Sequence, residues 1–408
     1  MGNMEPTVND TNEEPDRHDI NVDFTDTEIA FSIKKDKELK RMAVLFKAMN
    51  NPTLVKIGSS LAIIALKLRL PFTEWAIKNT IFFQFVGGDS LLHCQRTVDK
   101  LHSFDTLTVL DYGAEAKYKE EDLDEVMEEN LRAIEFAASN TSVPIITIKM
   151  TGLAQDHILE KLSRDQKLTT SEEVLFERLM GRLEEICDKA RELAVGVFID
   201  AEESWIQKAI DSIALKLMAD YNKEKVTVYT TYQMYIKDKL NQMLTDHKSA
   251  TDGEFKLGAK IVRGAYMEKE NARAKAKGYP SPIQDSKQDT DSDFNSAIAY
   301  CIDNFETISF CNATHNLIST KLMVNALINK GLDISHPHLN FSQLYGMSDN
   351  ITFNLANAGF NVAKYVPYGP VKDVIPYLVR RAQENSAVSG EASRELGLIN
   401  QEMKRRGL

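Results

Sequence analysis

From about residue 101 onward, short apolar runs rich in β-forming residues alternate with long stretches of helical periodicity. The runs are LTVLD (107–111), PIITIKM (144–150), VGVFID (195–200), VTVYTT (226–231), LGAKIV (257–262), ISFCNA (308–313), HLNFSQ (338–343) and FNVAKYV (360–366). Between them lie amphipathic segments such as DLDEVMEENLRAIEFAAS and SEEVLFERLMGRLEEICDKARELA. Strands that alternate with helices form βαβ units and a parallel sheet. Eight such units predict an α/β protein with a distorted (βα)8 TIM-type barrel; an open doubly wound α/β sheet is the alternative. Ahead of the barrel, TEIAFSIKKDKELKRMAVLFKAM repeats its apolar positions with helical period. The expected organisation is therefore a disordered acidic tail (1–25), an N-terminal helical segment (26–100), a catalytic barrel (101–390) and a C-terminal helical tail (391–408).

Composition narrows the functional classes. The 408 residues are 43% hydrophobic, ample for a large core, and carry a formal net charge of −11. Nucleic-acid binding needs a basic footprint, so no nucleic acid is expected as a partner. Cys94, Cys187, Cys301 and Cys311 form no C-x-x-C pair and read as reduced, buried thiols. His336 and His338 flank Pro337 without a third ligand nearby, so no metal is expected. The N-terminal stretch has neither the apolar core of a secretory signal nor the Arg-rich character of a mitochondrial presequence. LVKIGSSLAIIALKLRL (54–70) is the most apolar stretch, but Lys56, Lys67 and Arg69 interrupt it and Pro71 ends it. It is too short and too charged to span a bilayer, which leaves a core helix or an interfacial one. No G-x-G-x-x-G or G-x-x-x-x-G-K-[ST] motif follows any strand, so a nucleotide cofactor would have to be held without a Gly-rich loop.

In a (βα)8 barrel the chemistry sits at the C-terminal ends of the strands. Those ends carry Asp111, Lys149, Asp200, Thr230 through Gln233, Arg263 through Tyr266, Thr314 through Asn316, Gln343 with Leu344, and Tyr365. Singly, each is what a turn requires; together they make a polar ring around one mouth. After the eighth strand comes YLVRRAQEN (377–385). On a helix, Tyr377, Arg380, Arg381 and Glu384 share one face. By spacing alone this is a solvated face with an ion pair. Beside a polar mouth it becomes a clamp for a small anion, because planar guanidiniums grip a carboxylate bidentately.

LDYGAEA (110–116), TIKMTGLA (147–154), IDAEES (199–204), TYQMY (231–235), KIVRGAYM (260–267), NATHN (312–316), QLYGM (343–347) and YVPYGPVKDVIPYLVRRAQEN (365–385) occur in that order. In this ordered set the sequence resembles the flavin-dependent proline dehydrogenases, from about residue 80 to 390. VRGAYM and the insert GYPSPIQDSKQDTDSDFN resemble the monofunctional, eukaryotic-type branch. The resemblance implies a distorted barrel with non-covalent FAD at its mouth, oxidation of L-proline to Δ1-pyrroline-5-carboxylate, and a membrane quinone as electron acceptor. By the same resemblance, Arg380 and Arg381 bind the substrate carboxylate with Lys149 as a third cation. Tyr365 and Tyr377 wall the pyrrolidine ring, Tyr266 and Leu344 complete the pocket, and Asp200 positions its neighbours. Glu384 joins the arginine pair to the flavin. Thr230, Gln233, Val262, Gly264, Thr314, His315, Asn316 and Gln343 fall where the family contacts FAD, with Lys287 and Thr290 in a loosely matching insert. Lys260 stands where many bacterial relatives have a flavin-contacting arginine, and Arg263 where they have lysine.

Three other functions compete with this one. A hydroxyproline dehydrogenase would share the clamp. A methylenetetrahydrofolate reductase-like flavin barrel has no evident use for the arginine pair. An inert membrane-associated scaffold would not need Lys149. Peripheral membrane contact through 54–85 is expected to accompany a quinone acceptor. The expected location is cytoplasmic, peripheral to the inner membrane, or the mitochondrial matrix for a eukaryotic chain whose presequence has been removed.

Overall fold

In the computed structural model, which describes residues 21–113, 119–387 and 391–408, all eight expected runs are strands. They are β1 (Leu107–Tyr112), β2 (Ile145–Ile148), β3 (Gly196–Ile199), β4 (Val228–Gln233), β5 (Leu257–Val262), β6 (Ile308–Ala313), β7 (Leu339–Leu344) and β8 (Val362–Tyr368). They pair in parallel and in chain order, and β1 hydrogen-bonds to β8, so the sheet closes into a barrel. The (βα)8 expectation holds and the open doubly wound sheet is excluded. Residues 1–20 of the expected acidic tail, and 114–116 of the LDYGAEA motif, lie outside the described residues.

Alternate residues of a strand face opposite sides, so each strand divides its side chains between the barrel interior and the helical layer. Val109, Phe198, Tyr229, Cys311 and Ala363 form an apolar plug inside the barrel. Two residues further along, the same faces carry Asp111, Asp200, Thr231, Ala313 and Tyr365. The interior thus changes from apolar to largely polar towards the C-terminal ends. Outward-facing side chains such as Ile146, Val197, Ala259, Phe310 and Phe341 pack beneath the helices in the main core.

A second core lies outside the barrel. Phe31, Leu39, Phe46, Phe82 and Phe85 from the N-terminal segment meet Val374, Tyr377 and Leu378 of the Val371–Ala387 helix and Ile399 of the Glu391–Arg405 helix. The Pro52–Lys67 helix packs one side on the Val371–Ala387 helix, and the Asp36–Met49 helix packs on Glu391–Arg405. The other side of Pro52–Lys67 is bare. Leu54, Ile57, Leu61, Ile64 and Leu68 recur every three or four residues and are each at least half exposed, and Phe72 and Trp75 continue the patch. Among the described residues no helix is long and apolar enough to cross a membrane.

Candidate active site

The polar end of the barrel is organised around one carboxylate. Asp200, at the end of β3, accepts the Lys260 ammonium from β5 and the Tyr365 hydroxyl from β8, the latter at 2.7 Å. Lys149, after β2, lies 3.5 Å from the same carboxylate and donates to Asp111 on β1. Five strand ends are thereby tied together. The Lys260 ammonium also sits 5.1 Å from the centroid of the Tyr365 ring, within cation–π range. Burial alone would raise the Asp200 carboxyl, but Lys260 and Lys149 outweigh it and hold the group below the usual carboxylate range. Burial, reinforced by the Asp200 charge, lifts Asp111 despite Lys149. The Tyr365 phenol is pushed far up by burial and by the two carboxylates, so it keeps its proton and remains a donor.

Around this centre the loops are pinned individually. Arg263 donates to Asp291 at 2.7 Å, Thr314 at 2.8 Å and Ser319 at 2.9 Å, which joins the end of β5 to the loop after β6. Gln343 on β7 donates to the Thr314 carbonyl at 3.2 Å and accepts from Thr352. Asn316 caps the Leu317–Asn329 helix by accepting from the Ile318 and Ser319 amides. Gly264 has φ +135°, and a Cβ there would come within 2.3 Å of the Tyr235 ring, so only glycine fits this turn. Tyr235 in turn accepts from the Tyr266 amide at 3.3 Å.

The Val371–Ala387 helix brings the arginine pair to this end of the barrel. Arg380 stacks 5.6 Å from the centroid of Tyr266, and Arg381 lies 5.5 Å from that of Tyr377 while pairing with Glu384 at 2.5 Å. Pro376 sits one residue before Tyr377 and removes the amide that would bond the Lys372 carbonyl. His315 titrates well below the ordinary histidine range because it is desolvated and because Lys364, Arg381 and Arg394 crowd it with positive charge. It is a neutral imidazole. The buried Tyr377 hydroxyl has no hydrogen-bond partner among the described residues. A buried donor left without a partner calls for an explanation, an ordered water or a bound group among them.

A family model described as proline dehydrogenase matches residues 94–394. The chain belongs to the proline dehydrogenase family. Proline dehydrogenase 1, mitochondrial, of Caenorhabditis elegans is 39% identical over 246 residues, which is 59% of this chain and 40% of the worm protein. Hydroxyproline dehydrogenase of Xenopus laevis is 28% identical over 413 residues, 92% of this chain and 88% of the frog protein. Among solved structures, proline utilization A from Bdellovibrio bacteriovorus superposes with a TM-score of 0.69 at 20% identity, covering 88% of this chain and 38% of that one. That likeness is one of fold. The chain spans less than half the length of the worm protein and of the bacterial one.

Within this proline dehydrogenase fold, most of the expected site residues converge. Lys149, Asp200, Lys260 and Tyr365 are in direct contact, and Tyr266, Tyr377, Arg380, Arg381 and Glu384 form the arginine-helix group. Arg263, Thr314, His315, Asn316 and Gln343 share the β5–β7 rim, and Val262 lies on the interior side with Lys260. Gln233 is fixed by donation to the Glu202 carbonyl at 2.7 Å. Leu344 packs against the second core, which also holds Tyr377. Lys287 is an exposed residue paired with Asp291, which also accepts from Arg263 of the rim, and the Thr290 hydroxyl donates to the Ser286 carbonyl at the start of its helix.

Thr230 lies on the other face of the sheet from Lys260 and Val262. It pairs with Ala259 of the outer core, and its neighbour Tyr232 reaches the helices, donating to Asp246 at 2.9 Å. The pleat therefore turns Thr230 towards the helical layer and places Thr231, opposite Lys260, inside. Sequence reading also gave no role to Asp111, although it stands at a strand end, and it missed Ser348, Arg394 and Glu395, which no motif marks.

The buried charge centre generates the first test. Asp200→Ala strands the Lys260 ammonium without its carboxylate, at an expected cost of about 3–5 kcal/mol of stability, read from the urea midpoint. Adding Lys260→Met should recover much of that loss. An equal loss in the single and double variants would show that the pair is not coupled.

Proposed function

We propose that this chain oxidises L-proline to Δ1-pyrroline-5-carboxylate with FAD as the electron acceptor. The observation that carries the reading is the Arg380/Arg381 pair on a helix whose Tyr377 hydroxyl is buried without a partner, beside an interior that also holds Lys149. The donor chemistry fits both ligands. Two guanidiniums suit a carboxylate. Thr314, neutral His315, Asn316 and Gln343 offer hydrogen-bonding groups suited to the polar atoms of FAD. FAD supplies the two-electron chemistry; this chain supplies binding, orientation and field.

The residues' tasks follow from their surroundings. Arg380 and Arg381 hold the substrate carboxylate at one end of a small ring, and Tyr365 and Tyr377 fix the ring plane. The net positive field favours the neutral amine, the better electron donor. Asp200 keeps the Tyr365 hydroxyl engaged and the ring immobile. No protein base is required of His315, which stays neutral. An added ring hydroxyl would meet Tyr365, whose own hydroxyl is committed to Asp200, so L-proline is the preferred substrate over hydroxyproline. The arginine pair favours both over a folate.

The same reading extends to the electron acceptor. A quinone dissolved in a bilayer requires the enzyme at the membrane surface. The bare stripe of Leu54, Ile57, Leu61, Ile64 and Leu68 supports that placement, as does its setting. In an acidic chain, the only charged residues between 51 and 80 are Lys56, Lys67, Arg69, Glu74 and Lys78, mostly cations suited to anionic lipid. Such docking agrees with a mitochondrial matrix location, or with the cytoplasmic face of an inner membrane.

Heat-released cofactor should be FAD; FMN or none would overturn the reading. Arg381→Lys keeps the charge but loses the planar fork, so kcat/KM for L-proline should fall roughly ten- to a hundredfold with flavin content unchanged. Near-normal efficiency would return the arginine face to an ordinary surface role. Tyr365→Ser should narrow the preference for L-proline over trans-4-hydroxy-L-proline by roughly tenfold or more; an unchanged ratio in folded, flavin-loaded protein would count against the steric gate. For the membrane, the protein should sediment with vesicles containing anionic lipid, and Leu61→Ser with Ile64→Ser should release it. Binding that survives the double change would move the docking face elsewhere.

A further inference from the structure

The Glu391–Arg405 helix follows the barrel, and the family match ends within its first residues. Its outer half is a clasp. Arg405 and Arg406 pair with Glu402, and Arg406 also donates to the Phe31 and Lys34 carbonyls of the N-terminal segment, both at 2.8 Å. Its inner half does something different. Arg394 donates to the His315 carbonyl at 3.2 Å and to the Ser348 hydroxyl at 3.3 Å. Glu395, almost fully buried, accepts the Ser348 amide at 3.1 Å. Ser348 is wholly buried and holds φ 50°, a left-handed conformation costly for serine. Its hydroxyl lies 2.9 Å from Nδ1 of His315.

These contacts form one chain from the terminal helix to the loop after β6. The Arg394 guanidinium donates into the Ser348 oxygen, so the Ser348 proton is free to point elsewhere. The nearer acceptor is His315 Nδ1 at 2.9 Å, against the Glu395 carboxylate at 3.4 Å. A hydroxyl that donates to Nδ1 of a neutral imidazole leaves the ring proton on Nε2. Arg394 also bonds the His315 main chain, so backbone and ring are set together.

We propose that Arg394, with Glu395 and through Ser348, is a positioning residue for the cofactor: it fixes His315 as a neutral Nε2–H donor and holds the 314–316 loop in its FAD-binding form. The inference rests on the reading that this loop contacts FAD. It assigns a cofactor role to a helix outside the barrel, exerted through His315.

The test compares variants of the full chain after flavin removal and re-titration with FAD, alongside 15N imidazole shifts of His315. Wild-type protein should rebind FAD and show the Nε2–H pattern. Arg394→Ala should weaken FAD binding roughly ten- to a hundredfold and shift His315 towards a mixture of tautomers, and Arg394→Lys should restore part of both. Arg405→Gln loosens the clasp without touching Ser348 or His315 and should leave affinity and tautomer unchanged. If Arg394→Ala binds FAD as tightly as wild type, or Arg405→Gln loses as much affinity, the positioning role is overturned and the helix is a structural clasp only. Wild-type protein that takes up no FAD while keeping the Nε2–H pattern would instead overturn the flavin reading on which this role depends.

Discussion

The buried charge centre at the polar end of the barrel depends on the Asp200 carboxylate. It draws Lys260, Lys149 and Tyr365 from three other strands into a volume from which water is largely excluded. Two lysines so close would repel each other and pay for their own desolvation without it. Asp111 neutralises the other side of Lys149, so two carboxylates face two ammoniums in alternation. Such an arrangement adds little net stability. It confers definition: each side chain has one place to be, and the Tyr365 ring is set by its hydroxyl and by the Lys260 cation together.

The barrel makes this alternation available. Closure through the β1–β8 ladder sets Val109 beside Tyr365 and Asp111 beside Pro367, so the first and last strands present their ends to one mouth. The apolar plug fills the interior below the charge centre. Above the mouth, the Val371–Ala387 helix belongs to the second core, not to the barrel's own. Its position is set by the N-terminal helices and the terminal helix, so the arginine pair is aligned by parts of the chain outside the barrel. The Pro52–Lys67 helix is one of those parts, and its free side is the exposed apolar stripe.

The strands were legible because each is a short β-rich run bounded by turns, and eight repeats leave few architectures. The strand-end residues were legible for the same reason: a polar residue closing an apolar run stands out. The orientation of Thr230 was not legible, because motif matching aligns residue types along the chain, whereas the pleat decides which of two adjacent threonines faces inward. Arg394 was not legible at all. Its partners His315 and Ser348 lie far away in sequence, and an arginine on an amphipathic helix looks the same whether it meets water or a buried serine.

The central claim is that the arginine helix and the strand-end charge centre form one site for a proline carboxylate beside a flavin. The most direct measurement is anaerobic mixing of the purified protein with L-proline while the flavin absorbance is followed. The account predicts saturable bleaching in a single phase, with the Arg380→Lys protein needing far more L-proline for half-saturation. A flavin that stays oxidised at saturating L-proline, or one that bleaches equally well with an amine lacking the carboxylate, such as pyrrolidine, would contradict it.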